Sequence, residues 1–351
     1  MIYIILCLLI ILGIVFPRSK YVLIFDVLVI SLIIGLRPFT ATDYTNYWVE
    51  YNTAPLIQAS RADFSGYNIL MRFCQYLGLT FDQFIFVIAF LSVILMVTGM
   101  LKLSRYVPFA LSIFLIYPFA HEAVQMRTFL ADSIVWCALP MLLIDHQNKI
   151  KNIQSKSIFF ILTYIATTIH TLCWFYFIVA ILYLLFRNSK KYLIVIFIIA
   201  GLMFILVHTS LLNVALTSVS SSDKLDHWTE GSTGLGMIIY AVISLLIFIM
   251  IRYSTNSVMT LEGKITEQLN QNIQKFSASI LLVIPFLTLD ITFNRLWRVF
   301  LGILYLVSAE YIYRNDKISA KKILYIIVLT IIIITMFLLE NENSILRTIM
   351  V

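Results

Sequence analysis

The sequence has few charged residues for its length. Only 12% of its 351 residues are Asp, Glu, Lys or Arg, whereas 61% are hydrophobic. This balance excludes a soluble domain, and because apolar runs recur from one end of the chain to the other it also excludes a soluble domain with a single anchor. The composition therefore predicts a polytopic membrane protein.

Cysteine, histidine and nucleotide-binding motifs are equally sparse. The four cysteines are dispersed with no CxxC pair, and none of the five histidines has a partner at the i, i+4 spacing of a helical metal site. We therefore predict neither a disulfide framework nor a metal site. The sequence has no GxSxG, no Walker loop and no GxGxxG, so serine hydrolase chemistry and nucleotide-driven transport have no local support.

Twelve apolar runs are separated by charged or proline-containing breaks. A helix needs roughly 17 to 25 apolar residues to cross a bilayer. We predict an all-α, polytopic membrane protein with about twelve transmembrane helices (roughly 11 to 14) in a single membrane domain, 1–351. The runs are 1–16, 21–36, 82–101, 107–120, 127–144, 158–170, 172–186, 192–208, 235–251, 276–290, 296–313 and 323–339.

The distribution of basic residues predicts the orientation. Most of the 25 lysines and arginines lie in alternate loops, and positive charge in short loops marks the cytoplasmic side. This places both termini outside and makes 252–275 a cytoplasmic loop. The net charge of +7 then reflects orientation, so we expect no nucleic-acid partner.

Two polar segments are predicted to lie on the outer side. The amphipathic segment 37–81 has aromatic and apolar residues at helical spacing and is expected along the outer interface. The loop 209–234 is rich in Ser and Gly and is a candidate lid. The short runs on either side of His170 are candidates for a re-entrant or tilted pair lining a cavity.

The segment RPFTATDYTNYWVEY, 37–51, is the first that is not simply apolar. Asp43 is followed by four aromatic residues at i, i+3, i+4 and i+7 spacing, which predicts one aromatic face on a short helix. Aromatic rings stack on the C–H faces of sugars, and a carboxylate accepts a hydroxyl proton. An interfacial aromatic belt is the alternative. The four residues are Tyr44, Tyr47, Trp48 and Tyr51.

Four arginines at the predicted outer ends of helices run against the positive-inside trend. A guanidinium matches phosphate oxygens bidentately and keeps its charge when partly desolvated, so a lipid-linked diphosphate is a candidate ligand. The alternative is a snorkelling side chain or a partner for an acid such as Glu122 or Asp290. We favour the ligand for Arg127 and Arg295. The four arginines are Arg37, Arg127, Arg295 and Arg298.

Each of the other ionisable residues allows a functional and a structural interpretation. His170 follows an apolar helix and has a pKa range suited to accepting a proton from a hydroxyl, with a structural hydrogen-bonded role as the alternative. Asp26, Asp132 and Glu310 fall inside helices, where we expect them to be paired. A proton relay is the functional alternative.

Four motifs resemble the EpsG family, the Wzy-like polymerases of bacterial exopolysaccharide and capsule. They are the DYxNYxxxY core of the first segment, MRTFLADSIVWCAL at 126–139, IHT at 169–171 and FNRLWRVFLGILYL at 293–306. Their order matches that of the family over roughly 37–310. Thr128 departs from the family pattern, which commonly has Gln at this place.

The resemblance implies a glycosyltransferase of GT-C-like architecture in the bacterial cytoplasmic membrane. Such a protein transfers an undecaprenyl-diphosphate-linked glycan chain onto a lipid-linked oligosaccharide repeat unit at the outer face. No cofactor is expected, because the lipid carries the activated sugar and arginines supply positive charge. Its implied partners are that lipid-linked substrate, membrane lipid, and the flippase and chain-length regulator of the same pathway.

The sugar transfer needs cations for the leaving diphosphate, a base for the acceptor hydroxyl and a groove for the sugars. We predict Asp43 as the first choice of base and His170 as the second. Arg127 is the predicted catalytic cation, and the other three arginines and the four aromatic residues are predicted to bind substrate.

Three other functions use similar features. A flippase or other transporter of the lipid-linked oligosaccharide also needs outward arginines, although internal repeats are then common, and none is visible here. A membrane acyltransferase that modifies the glycan, and a ligase that attaches finished glycan to another acceptor, are the remaining alternatives.

Overall fold

A computed structural model describes most of the chain. The residues described are 2–41, 43–53, 65–186, 188–207, 209, 234–259, 264–288, 290–314 and 319–350. Within these ranges the chain is helical and has no β-strand, as the sequence predicts. It divides into two compact units, 1–177 with 305–351, and 178–304. The single membrane domain stays a prediction.

The first unit contains the N-terminal helices and the two C-terminal ones. A 3-10 turn, Thr171–Cys173, follows the ninth helix. The helices are α1 Ile2–Val15, α2 Lys20–Gly35, α3 Tyr44–Thr53, α4 Ser65–Tyr76, α5 Phe81–Leu103, α6 Val107–Ile116, α7 Phe119–Val124, α8 Met126–Leu143, α9 Lys149–Ile169, α16 Ala320–Leu339 and α17 Glu342–Met350.

The remaining helices lie in the second unit or begin or end in it. Two 3-10 segments, Ala278–Leu282 and Ile291–Trp297, flank the short fourteenth helix. The helices are α10 Trp174–Leu185, α11 Ser189–Val207, α12 Gly234–Met259, α13 Lys264–Ser277, α14 Val283–Leu287 and α15 Arg298–Tyr313.

Six helical stretches in the described part of the chain are long and apolar enough to cross a membrane. Together with the shorter apolar helices, they make this a multi-pass membrane protein. Twelve spans and a GT-C-like architecture stay predictions. The six stretches are Phe81–Leu103, Met126–Leu143, Ser189–Val207, Ile238–Ser257, Thr292–Tyr313 and Ala320–Leu339.

Burial distinguishes central helices from peripheral ones. The most apolar stretch of α8 is 89% buried, whereas that of α11 is only 11% buried. Helix α8 packs closely on α5 at Gly99, where an added Cβ would lie 2.0 Å from the backbone oxygen of Trp136. A small residue is needed wherever two helix backbones approach so closely. The first unit is therefore organised around α5 and α8.

Two helical segments differ from the sequence prediction. Helix α9 begins at Lys149 and not near 158, because the Asn148 side chain caps it by accepting from the N–H groups of Ile150 (2.9 Å) and Lys151 (3.3 Å). The predicted helix 276–290 is broken into 3-10 turns around α14, where Pro285 has no N–H to donate. The described residues of the predicted cytoplasmic loop 252–275 are helical, within α12 and α13, and its cytoplasmic location stays a prediction.

Candidate functional site

Helix α3 forms where the aromatic spacing predicts a short helix. It begins directly after Asp43, whose φ of 65° is in the left-handed region that Asp tolerates better than most residues. The Asp43 carbonyl accepts a hydrogen bond of 3.0 Å from the N–H of Tyr47, which starts the helix. The side chain of Asn46 donates to Asp43 Oδ1 at 3.4 Å. The candidate base therefore lies at the N-terminus of the aromatic helix.

The aromatic residues of α3 do not form one open wall. Tyr51 is 3% exposed, stacks on Phe84 with ring centroids 5.0 Å apart, and donates to the carbonyl of Leu79 at 2.7 Å. Trp48, in contrast, is 48% exposed. Tyr44 and Tyr51 pack on the protein, whereas Trp48, one turn along the same face, remains exposed.

Tyr44 is the second anchor of α3. Its ring meets that of Phe81 edge-on at 5.1 Å, and its hydroxyl donates to Asp82 Oδ1 at 2.7 Å. Burial, and the hydrogen bond to Asp82, raise the pKa of the Tyr44 hydroxyl to about 12. Tyr44 therefore stays protonated and fixes α3 to the first turn of α5.

Arg37 is buried at the end of α7. Its Nη1 donates to the carbonyl oxygen of Ala123 and, at 3.3 Å, to that of Val124, which are carbonyls of the last turn of that helix. Its Nε and Nη2 are also buried, and neither has a hydrogen-bond partner among the described residues. Burial lowers the pKa of the guanidinium, and the nearby Asp43 is one of the groups that oppose this effect.

Arg127 lies in the first turn of α8 and forms an ion pair with Glu50 of α3. Its guanidinium carbon is 4.9 Å from the ring centroid of Tyr67 and 5.7 Å from that of Tyr47. The guanidinium of Arg37 is 5.8 Å from the same Tyr47 ring. The two arginines therefore approach one tyrosine. We call Arg37, Arg127, Glu50, Tyr47 and Tyr67 the arginine cluster.

Tyr67 forms the buried floor of the arginine cluster. It is 0% exposed, and its hydroxyl has no hydrogen-bond partner among the residues that the structure describes. Burial raises the pKa of this hydroxyl far above its usual range, so it remains a potential donor. The preceding residue, Gly66, packs so closely on α9 that an added Cβ would lie 2.3 Å from Thr168 Oγ1.

His170 lies two residues beyond that contact, at the C-terminus of α9. Its Nδ1 accepts a hydrogen bond of 3.2 Å from the N–H of Leu172, the residue at the middle of the following 3-10 turn. A neutral imidazole that accepts at Nδ1 carries its proton on Nε2. In this tautomer the Nε2 of His170 is a hydrogen-bond donor.

The other predicted site residues belong to the second unit or lie outside the described residues. Arg295 lies in the 3-10 segment before α15, and Arg298 is the first residue of that helix and 7% exposed; both belong to the second unit. The predicted lid 209–234 falls almost wholly on 210–233, outside the described residues.

Sequence reasoning missed Glu50 and Tyr67. Glu50 follows Tyr47 by three residues and so shares its side of α3, a signal that was present in the sequence. Tyr67 had no such signal, because its contact with Arg127 joins residues that are distant in the chain.

Among the described residues, the predicted pairing of helix-buried acids holds for Glu310 and Asp132 but not for Asp26. Glu310 accepts a hydrogen bond of 2.8 Å from Ser104, and Asp132 lies 4.0 Å from the sulfur of Cys173. Both carboxyl oxygens of Asp26, which is 1% exposed, have no hydrogen-bond partner within the described part of the chain.

Comparison with known proteins identifies the family. The family model described as the EpsG family matches residues 20–346, nearly the whole chain. No curated protein and no solved structure matches the sequence. The match includes every residue of the arginine cluster, and also Asp43, His170, Arg295 and Arg298.

Proposed function

This chain belongs to the EpsG family, and we propose that it is a polysaccharide polymerase of the bacterial cytoplasmic membrane. It transfers a lipid-diphosphate-linked glycan chain onto a lipid-linked oligosaccharide repeat unit at the outer face, with both termini on that side and a GT-C-like arrangement of helices. The observation that carries this proposal is the approach of two guanidiniums to the Tyr47 ring, one of them with two buried, unpartnered donors among the described residues.

The two arginines have different electrostatic roles. The charge of Arg127 is compensated by Glu50, whereas Arg37 contacts backbone carbonyls and forms no ion pair with a described residue. A guanidinium whose N–H donors have no partner suits an anionic oxygen. Charge-assisted hydrogen bonds are strong, and a buried donor without a hydrogen bond costs free energy. Arg37 is therefore the proposed diphosphate ligand, and Arg127, held by Glu50, is the supporting cation.

The proposed reaction requires no added reactant. The hydroxyl oxygen of the acceptor sugar attacks the anomeric carbon of the donor, and the bond from that carbon to the diphosphate oxygen breaks. The diphosphate leaves with the electron pair, and the hydroxyl proton passes to a base. The arginines stabilise the charge that develops on the diphosphate, so no metal ion is included.

Asp43 is the proposed base. Its carboxylate is half-buried, has a long hydrogen bond of 3.4 Å from Asn46, and lies close enough to Arg37 to favour the charge of that residue. His170 is the second choice, because its Nδ1 accepts from Leu172 and would have to release that hydrogen bond before it could take a proton. The left-handed backbone at Asp43 directs the chain into α3 and keeps this carboxylate next to the aromatic helix.

The sugar-binding surface is proposed around Tyr47 and Trp48. The exposed indole offers a ring face to the C–H groups of a sugar, as stacking requires. Tyr44 and Tyr51 serve this surface by anchoring α3. Arg295 and Arg298, in the second unit, remain proposed substrate ligands.

The proposal is tested by the length of lipid-linked glycan in cells that lack the protein. The cells are complemented with wild type, Arg37→Gln, Arg127→Gln or the control Arg347→Gln at matched membrane expression. Arg347 is an exposed arginine of the C-terminal helix α17. We expect wild type and the control to give long chains, and the two variants of the arginine cluster to accumulate single repeat units on the outer side.

The sidedness of the accumulated units separates the alternatives. Single units that accumulate on the cytoplasmic side would identify a flippase and contradict the proposal. Full-length chains in the absence of the protein would also contradict it, because the polymer would then have another source.

A further inference from the structure

We propose that the second unit contains a binding site for an anionic phospholipid of the surrounding bilayer. The headgroup phosphate binds in a basic pocket at the start of α11, and one acyl chain lies in an apolar groove between α11 and α12. None of the residues that line this site is assigned to glycan transfer, and the inference goes beyond that function.

The basic pocket has a volume of about 90 Å³. Three cations line it, Lys190 of α11, Arg252 of α12 and Lys275 of α13, and its other polar lining residues are Ser189 and Gln274. No carboxylate is among the described residues that line it. Three like charges on three helices repel one another unless an anion is shared between them. The pocket therefore has the positive charge that a phosphate requires and, in Ser189, a hydroxyl donor, whereas the Gln274 amide already donates to Thr255 and Asn256.

The positive charge of the pocket comes from side chains. The N–H groups of Lys190 and Lys191 both donate to Asn188 Oδ1, at 2.9 and 3.1 Å, so the start of α11 is already capped. Lys275 is buried and donates to the carbonyl of Tyr183 at 2.5 Å, with its ammonium 3.9 Å from the centre of the Tyr183 ring. Lys190 and Arg252 are exposed. One cation is thus fixed, and two are able to close on a headgroup.

The apolar groove has a volume of about 420 Å³ and continues in line with the basic pocket. It is lined only by apolar residues, including Phe197 and Phe204 of α11 and Ile238, Ala241 and Leu245 of α12. Both Phe197 and Ile238 are more than half exposed, which leaves the groove open at its side. A groove of this composition suits a hydrocarbon chain.

The basic pocket and the apolar groove share three walls. On each wall the lining residues of pocket and groove lie about one helical turn apart: Leu193 and Phe197 on α11, Phe248 and Leu245 on α12, and Ala278 and Leu281 before α14. From Leu193 to Phe204 the helix rises about 16 Å, roughly half of the ~30 Å hydrocarbon core and so the depth of one leaflet. A headgroup phosphate in the basic pocket and an acyl chain of this length in the groove together fit a phospholipid.

The charge distribution favours a bilayer lipid over the lipid-linked substrate. Lys190, Arg252 and Lys275 lie in segments that the positive-inside rule assigns to the cytoplasmic side. The sugar-transfer residues are assigned to the outer side. Basic pockets between helices on the cytoplasmic side are typical sites for anionic headgroups.

The test is native mass spectrometry of the full-length protein in detergent, titrated with phosphatidylglycerol or with phosphatidylcholine of the same acyl chains. We expect wild type to retain phosphatidylglycerol preferentially. In the double variant Lys190→Gln, Arg252→Gln we expect the affinity for phosphatidylglycerol to fall about tenfold or more. The matched control is Lys191→Gln, which removes an exposed neighbouring charge outside the pocket lining and should leave retention unchanged.

A second variant tests the groove independently of charge. Ala241→Trp fills the groove and should weaken retention of both lipids while the protein keeps its melting temperature. The proposal would be overturned if wild type retained the two lipids equally. It would also be overturned if Lys191→Gln lost as much affinity for phosphatidylglycerol as the double variant. Inorganic phosphate that displaces the lipid from wild type would show a free-phosphate site instead. If a polyprenyl diphosphate binds more tightly than phosphatidylglycerol, and the double variant weakens that binding, the pocket is a substrate site and the proposal is wrong.

Discussion

Glu50 of α3 forms an ion pair with Arg127 of α8, two residues that are 77 positions apart in the chain. Both side chains are partly buried, with 28% of Glu50 and 12% of Arg127 exposed. This contact fixes the aromatic helix to the most buried of the six candidate membrane spans. It also sets the charge of the arginine cluster, because it compensates Arg127 and not Arg37.

The pair predicts strong coupling between its two members. Glu50→Gln removes the ion pair with Arg127 and should lower the free energy of unfolding by about 1 to 3 kcal/mol, between the values typical of exposed and buried pairs. Arg127→Gln should cost a similar amount. The double variant should cost clearly less than the sum, as measured by reversible unfolding in mixed detergent. Additive losses would mean that the two side chains do not interact.

The hydroxyl of Tyr67 predicts a variant that separates stability from activity. Tyr67→Phe removes a buried hydroxyl that has no partner in the described part of the chain, so stability should be unchanged or higher. Chain length of the glycan should fall if this hydroxyl binds substrate. The measurement pairs the melting temperature with the glycan length distribution.

Tyr51→Phe is the matched control for that variant. It removes a hydroxyl that donates to Leu79, and should therefore cost about 1 kcal/mol of stability. A loss of stability in Tyr67→Phe as large as that in Tyr51→Phe would show that the Tyr67 hydroxyl is bonded. Normal glycan length in Tyr67→Phe would remove this residue from the site.

Close packing of α4 on α9 predicts sensitivity at Gly66. An added Cβ would lie 2.3 Å from Thr168 Oγ1 and 3.0 Å from the Thr168 carbonyl carbon, so Gly66→Ala should push the helices apart. The expected loss is about 1 to 3 kcal/mol, and the shift of Tyr67 should shorten the glycan. Gly201→Ala is the control, because nothing lies within 4 Å of its added Cβ. Equal melting temperatures for the two variants would contradict the packing.

The sequence predicts helices well where apolar composition decides them. All twelve apolar runs contain helical residues, including the broken segment at 276–290. The start of α9 was missed because its first turns are rich in lysine, and hydropathy does not register the cap by Asn148. The break at 276–290 was missed because an apolar run alone does not reveal 3-10 geometry.

The candidate site is less predictable than the helices. Spacing placed Tyr44, Tyr47 and Tyr51 on α3, but only the contacts with α5 show which rings are packed and that Trp48 is exposed. The approach of Arg37 and Arg127 to one ring is a tertiary relationship. No periodicity in a single sequence encodes it, because the residues belong to separate helices and connections.

The measurement that tests the central claim most directly is elongation by the purified full-length protein in proteoliposomes supplied with a polyprenyl-diphosphate-linked repeat unit. We predict that wild type forms dimers and longer chains without nucleotide sugar. Arg37→Gln should reduce the rate about 100-fold or more, the scale expected when a group that stabilises developing charge is removed, and Arg347→Gln should retain the wild-type rate. Unchanged elongation in Arg37→Gln, or no elongation by wild type that binds the substrate, would contradict the account.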